Sequence, residues 1–246
     1  MANQTNRKTD VDSQVRRKTG VAQIELKSES VFLHMRGQAG DALNNSLYRL
    51  GELFKMTNRS ANKTTYNMLK EWFQNEIINV AEIEIEKLAT HFESLQSDVI
   101  PGYSFVDIKN PQMNLDINII HKSHIEVINI ISKIDFIMDD IEAIALSGTF
   151  DDEVEQSSRN QALLILNNIS TKIFKVTKPG KRNGGAFSPV YFLEGLQKGV
   201  FSLYPDDNQP NNDKSNDKVI TLESKEVKTK SDNSVEQSSV ELTEAI

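Results

Sequence analysis

Apolar and polar residues alternate with period two in two stretches of the chain and recur at three- and four-residue intervals over much of the rest. The first alternating stretch runs from Val21 to Arg36, where β-branched residues and the alternation predict a strand region. Ala22, Ile24 and Leu26 share one face, opposite Gln23, Glu25 and Lys27; further on, Val31, Leu33 and Met35 oppose Phe32, His34 and Arg36. The parity of the apolar set changes near Ser28 to Ser30, which predicts a turn or bulge there. The second stretch sets Met113, Leu115, Ile117 and Ile119 against Asn114, Asp116 and Asn118, a second strand.

Helical spacing accounts for most of what remains. Asp41 is placed to cap a helix from about Ala42 to Lys55, with Leu43, Leu47, Leu50 and Phe54 on one stripe. After a break at Thr57 to Asn62, a long helix starts near Lys63 and carries Tyr66, Leu69, Phe73, Ile77 and Val80, continuing through Leu88 to Leu95 until Pro101 and Gly102. Two further helices span about Ser123 to Leu146 and Glu153 to Val176, and a short one runs from Pro189 to Val200. No internal repeat is recognisable. The pattern predicts a mainly α chain with minor β, an α+β fold.

Composition adds limits. The chain has 246 residues, 38% of them hydrophobic, and no cysteine, which excludes disulfide scaffolds, thiolate metal sites and cysteine nucleophiles. The longest unbroken apolar run, Ala162 to Leu166, is far short of the ~20 residues that span a bilayer, so a cytoplasmic protein is expected. The net charge of −7 is uneven: residues 1–40 hold 7 Lys/Arg against 4 Asp/Glu, whereas residues 205–246 hold 5 against 10. Global charge therefore decides nothing about a polyanionic partner. Residues 1–20 read as a flexible basic arm and residues 205–246 as a disordered acidic tail, leaving a DNA-binding unit at 21–80 and a helical region at 81–204 for dimerisation or regulation.

Strand, short helix, turn and longer helix over residues 29–78 is the order of a ribbon-helix-helix unit. In that unit one strand must pair with a twin from a second subunit, since a lone strand leaves its backbone groups unpaired. The paired ribbon enters the major groove, with one parity on the helices and the other on base edges. On this expectation His34 and Arg36 face the groove, Arg36 donating two bonds to guanine, and Lys27 lies on the polar parity of the preceding segment. The inter-helix turn supplies a phosphate clamp from Arg59, Ser60, Asn62 and Lys63, with Ser60 as the cap of a helix whose free N–H groups attract anions.

Asn58-Arg59-Ser60-Ala61-Asn62 through Tyr66-Asn67-Met68-Leu69-Lys70-Glu71-Trp72-Phe73 resembles the turn and second helix of Arc-type ribbon-helix-helix repressors. Over about residues 21–200 the chain also resembles the AcaB-like family of conjugative plasmids and integrative conjugative elements. That likeness rests on Ser30-Val31-Phe32-Leu33-His34-Met35-Arg36, the helix with Trp72, the strand Met113 to Ile119 and the closing pair Gly199-Val200. The resemblance implies a homodimeric transcription regulator, an activator of transfer genes, whose partners are promoter DNA, a second copy of itself and RNA polymerase.

Other classes are weaker. His121 and His124 have the one-turn spacing of metal ligands, but no cysteine or nearby histidine completes a tetrahedral set, so no metal is expected. Asp151, Asp152, Glu153 and Glu155 suit a helix start, and Gly180 to Gly185 lacks the order of a phosphate loop. Lys172, Lys175, Lys178, Lys181 and Arg182 form a basic run that suits flanking DNA or a solvated helix end. No acid–base pair, nucleophile or cofactor loop stands out, so neither an enzyme nor a cofactor is expected. The alternatives are a helical component of the conjugation apparatus and a partition or relaxosome accessory factor.

Overall fold

The two alternating segments find each other within one chain. In the computed structural model, which describes residues 18–59, 63–97, 108–110, 113–148, 151–181 and 185–204, strand β1 (Gly20–Leu26) pairs antiparallel with β2 (Met113–Ile119). Gly20 stands opposite Ile119, Gln23 opposite Asp116 and Leu26 opposite Met113. Alternation then does what period two demands: Ala22, Ile24, Leu26, Met113, Leu115 and Ile117 turn toward the helices, and the intervening residues face solvent. The two-stranded ribbon is thus formed within one chain by residues 20–26 and 113–119, and not by residues 30–36 pairing with a second copy as expected.

The segment from Val31 to Arg36 is not a strand. Helix α1 (Glu29–Arg36) occupies it, with Ser28 as its N-cap accepting from the Val31 N–H and Gly37 at its end. Val31 and Met35, four residues apart, are buried, while Leu33, which alternation placed beside them, is exposed. A six-residue run fits both periods, and here the serine cap, the acidic first turn at Glu29 and the i, i+4 pair decide for helix.

Helix α2 (Gln38–Arg59) starts one residue later, then come α3 (Lys63–Phe73), a π-helical turn (Gln74–Ile78) and α4 (Asn79–Ser97). Beyond β2 lie α5 (Ser123–Leu146), α6 (Asp152–Thr177), a 3₁₀ turn (Lys178–Gly180) and α7 (Pro189–Gln197). Helix α5 is the centre of the core: Val127, Ile130, Ile131, Ile134, Met138 and Ile141 are all fully buried. Around it, α2 packs along α6, α4 against both α5 and α6, and α1 against α2 and α5. Trp72 on α3 is core, ~1% exposed.

Strand-helix-helix therefore occurs twice, as β1-α1-α2 and β2-α5-α6, with the two strands joined and α2 lying on α6. A boundary at residue 80 does not separate two bodies, because it falls inside α4 and one apolar core contains Leu26, Leu50, Ile85 and Ile134 alike. Contacts divide the chain into residues 1–207 and 208–246, the second lying outside the described residues with the expected tail. No helix among the described residues is long and apolar enough to cross a membrane.

Candidate nucleic-acid interface

The outward face of the ribbon carries Val21, Gln23 and Glu25 from β1 and Asn114, Asp116 and Asn118 from β2, all exposed. In register, Val21 lies across from Asn118, Gln23 from Asp116 and Glu25 from Asn114. The Gln23 Nε2 donates to Asp116 Oδ1 at 3.2 Å, which fixes the middle of the row and offsets part of the aspartate charge. Five hydrogen-bonding side chains thus stand on a two-stranded surface whose other face is anchored in the core. Lysines mark its ends: Lys27 comes after Leu26 at the Met113 end, and Lys18 precedes Gly20 at the Ile119 end, with Lys122 three residues beyond Ile119; all are exposed.

Carboxylates from the central helix hold the segment that leaves the ribbon. Asp135 on α5 accepts from the Lys27 N–H at 3.0 Å and the Ser28 N–H at 3.0 Å. Glu142, two turns later, accepts from Ser28 Oγ at 2.8 Å, the Glu29 N–H at 3.0 Å and both the N–H and Oγ of Ser30. The first turn of α1 is capped from across the core, which ties the exit of β1 to α5.

Of the residues that sequence reasoning assigned to DNA, the structure places Lys27 at the ribbon end and sets His34 and Arg36 apart from it on a helix. His34 lies half-buried on α1, hydrogen-bonded to the Asn167 side chain of α6, and burial lowers its pKa below the ordinary value. It faces another helix rather than a groove. Arg36 is exposed in the last turn of α1, outside any ribbon. Lys63 is exposed at the start of α3, Arg59 ends α2, and Ser60 and Asn62 lie outside the described residues. Asn114, Asp116 and Asn118 were seen only as the polar half of an alternation. The signal that could have promoted them is the presence of two matching strand patterns, each needing a partner.

A solved structure shares this arrangement of elements. The fold is similar to that of AcaB from uropathogenic E. coli, in a selenomethionine-containing crystal form. The match has a TM-score of 0.50 at 14% sequence identity and covers 74% of this chain and 86% of the AcaB chain. No protein-family model matches the chain, and no curated protein matches it in sequence. At 14% identity the AcaB likeness speaks to the fold.

The Ile119 end of the ribbon leads into the two histidines. His121 stacks on Phe54, ring centroids 4.7 Å apart and nearly parallel, and its Nδ1 lies 3.0 Å from Ser123 Oγ. His124 Nδ1 is 3.0 Å from the Asn118 carbonyl oxygen, which ties this ring to the end of β2. Burial, then the neighbouring His124, Lys122 and Lys55, pushes the His121 pKa down to about 4. Burial also lowers that of His124. A folded pKa below the unfolded one means that the unfolded chain protonates first, so stability is full above about pH 6.5 and falls as pH drops toward 4. Asp135, whose pKa burial raises, acts with the opposite sign and offsets part of the loss. His121→Phe, which keeps the stacked ring, is expected to shrink the fall in Tm between pH 7 and pH 4 by roughly 2–8 °C, after discounting for a half-exposed ring. Equal falls in the two proteins would show that His121 is not the group being charged.

Proposed function

We propose that the chain is a sequence-specific DNA-binding transcription regulator that reads the major groove with the outward face of the β1–β2 ribbon. The observation that carries this is the row Gln23, Glu25, Asn114, Asp116 and Asn118 on a paired ribbon with lysines at both ends. A two-stranded ribbon fits the major groove, where Asn and Gln match the paired donor and acceptor of adenine and a carboxylate accepts from the amino group of cytosine. The carboxylates would repel phosphates, so the lysines at the ribbon ends supply the backbone contacts and set register. Because one chain furnishes both strands, a monomer can present a complete reading face, and dimerisation would add a second one rather than create the first. The fold likeness to AcaB supports the reading, and the sequence resemblance extends it to activation of conjugative transfer genes.

Selection of a site from random duplex DNA, followed by gel shifts of variants, tests this. Gln23→Ala and Asn118→Ala are each expected to weaken binding to the selected site by about 1–3 kcal/mol with little effect on random DNA. Lys27→Ala should weaken both alike and reduce the salt slope by about 0.9. His34→Ala and Arg36→Ala should leave site preference unchanged. Unaltered preference in both amide variants removes the ribbon from the reading role. Absence of any binding at low salt rejects the regulator and favours the helical interaction component.

A further inference from the structure

A cleft of about 790 Å³ opens between α2, the C-terminal half of α6 and the segment after residue 184, well within the size of small-molecule sites. Tyr48, Arg49, Thr171, Phe174, Lys181 and Phe187 give it its character, and among the described residues no Asp or Glu lines it. The Arg49 guanidinium carbon lies 4.6 Å from the centre of the Phe174 ring and 5.6 Å from that of Phe187, and the Lys181 ammonium lies 5.7 Å from the Phe174 ring. Arg49 Nη1 is shielded from solvent and has no hydrogen-bond partner among the described residues.

That combination is costly without a ligand. Two cations converge on one aromatic wall, and among the described residues no carboxylate stands between them and no acceptor meets the shielded guanidinium nitrogen. Burial also pushes the Arg49 pKa below its usual value. The guanidinium lies against the Phe174 ring, where an acceptor supplied from outside would satisfy its free nitrogen. Meanwhile Tyr48 and Phe174 are substantially exposed, an aromatic surface beside the charge. An oxyanion would answer the charge, and a flat apolar body would cover the rings.

We propose that this cleft binds a small organic anion: a planar ring bearing a carboxylate or phosphate, with the oxyanion on Arg49 and Lys181 and the ring against Phe174, Phe187 and Tyr48. Duplex DNA is not the occupant this geometry favours, because a guanidinium held between two rings inside a concavity is out of reach of a phosphate on a rigid, convex double helix. The inference does not depend on the DNA-binding proposal.

Calorimetric titration of the full chain tests it, with salicylate as the aromatic carboxylate, adenosine monophosphate as the ring-bearing phosphate, and inorganic phosphate, adenosine and benzamide as controls. Saturable binding of salicylate or adenosine monophosphate is expected, at least about tenfold tighter than inorganic phosphate or the uncharged analogue, reflecting a charged hydrogen bond. Whichever of the two binds tighter identifies the headgroup. Arg49→Gln and Lys181→Gln are each expected to weaken that binding by about tenfold or more, with Arg49→Lys intermediate. Lys181 lies beyond α6, outside the packed helices, so its variant reports even if replacing Arg49 perturbs folding. No saturable binding of either ring-bearing anion at millimolar concentration overturns the proposal, as does equal binding by both glutamine variants or by the uncharged analogues. Displacement of the bound anion by random duplex DNA, lost with Arg49→Gln, would also overturn it, making the cleft a backbone-contact surface.

Discussion

Alanine at Asp135 is expected to lower the free energy of unfolding by about 2–4 kcal/mol, since two backbone donors at the β1–α1 junction lose their acceptor at once. The Ser28 N–H is buried, so no water replaces the carboxylate there; the Lys27 N–H is closer to solvent and recovers part of its loss. Glu142→Ala should cost less, about 1–3 kcal/mol, because its bond to the Glu29 N–H is exposed, those to Ser30 are only part-buried, and Ser28 Oγ still accepts from Val31. The double variant should fall short of the sum, as both single changes free the same helix start. Asp135→Asn separates charge from hydrogen bonding: it keeps one acceptor oxygen and removes a carboxylate whose ionisation burial already opposes, so it should lie between wild type and alanine. Denaturant unfolding at pH 7 measures all four. A change in Asp135→Ala no larger than about 0.5 kcal/mol, the scale of ordinary surface substitutions, would mean that water satisfies the junction after all.

This junction marks where the sequence stopped being informative. A carboxylate on a helix as apolar as α5 looks like an interruption of the pattern, and nothing local says that its partners lie more than a hundred residues earlier. Elements whose stability is local were legible: α5 spans Ser123–Leu146 as the spacing predicts, and α7 starts at Pro189 behind a serine cap. Residues Val31 to Met35 were not, because alternation in a short run and helical spacing share several positions and only the Ser28 cap separates them. The alternation gives β1 its correct inward face but no partner, and the pairing expected of a ribbon falls on residues 30–36, which are helical. Pairing partners are chosen by tertiary topology, and residue pattern alone sets the face and not the neighbour.

The same limit applies to the ribbon surface. Gln23 and Lys27 could be read as the polar parity of β1, and Asn114, Asp116 and Asn118 as that of β2. That they form a single row emerges only from the register, which sets Gln23 beside Asp116 and Glu25 beside Asn114. His34 and Arg36 owed their place to an assumed strand, and they left the row when the segment coiled into a helix. In the proposed function the reading face is carried by amides and carboxylates instead of an imidazole and a guanidinium. Charge on the face consequently changes sign, which is why the lysines at the ribbon ends matter to any contact with phosphate.

Gly40→Ala is expected to be more disruptive than its single added methyl would imply, because that methyl has nowhere to go. A Cβ at Gly40 would stand 1.7 Å from the backbone oxygen of Met35 and 2.6 Å from its carbonyl carbon. These are backbone atoms, so no rotamer relieves the clash, and α1 must move away from α2. Moving α1 withdraws Val31 and Met35 from the core and pulls on the Ser28 and Glu142 contacts that anchor the ribbon. Overpacking costs typically 1–3 kcal/mol where side chains can adjust, so about 3 kcal/mol or more is expected here. Helix propensity runs the other way, since glycine in a helix costs roughly 1 kcal/mol relative to alanine; a glycine retained in the first turn of α2 is explained by the close approach alone. Gly37→Ala is the control. Its Cβ would meet nothing nearer than 3.5 Å, and its φ of −88° suits any residue, so it should change stability by less than about 1 kcal/mol. Denaturant midpoints of the two variants decide the point: if Gly40→Ala unfolds where Gly37→Ala does, α1 and α2 do not meet at this corner, and the path by which α1 fixes the ribbon to the core must be redrawn.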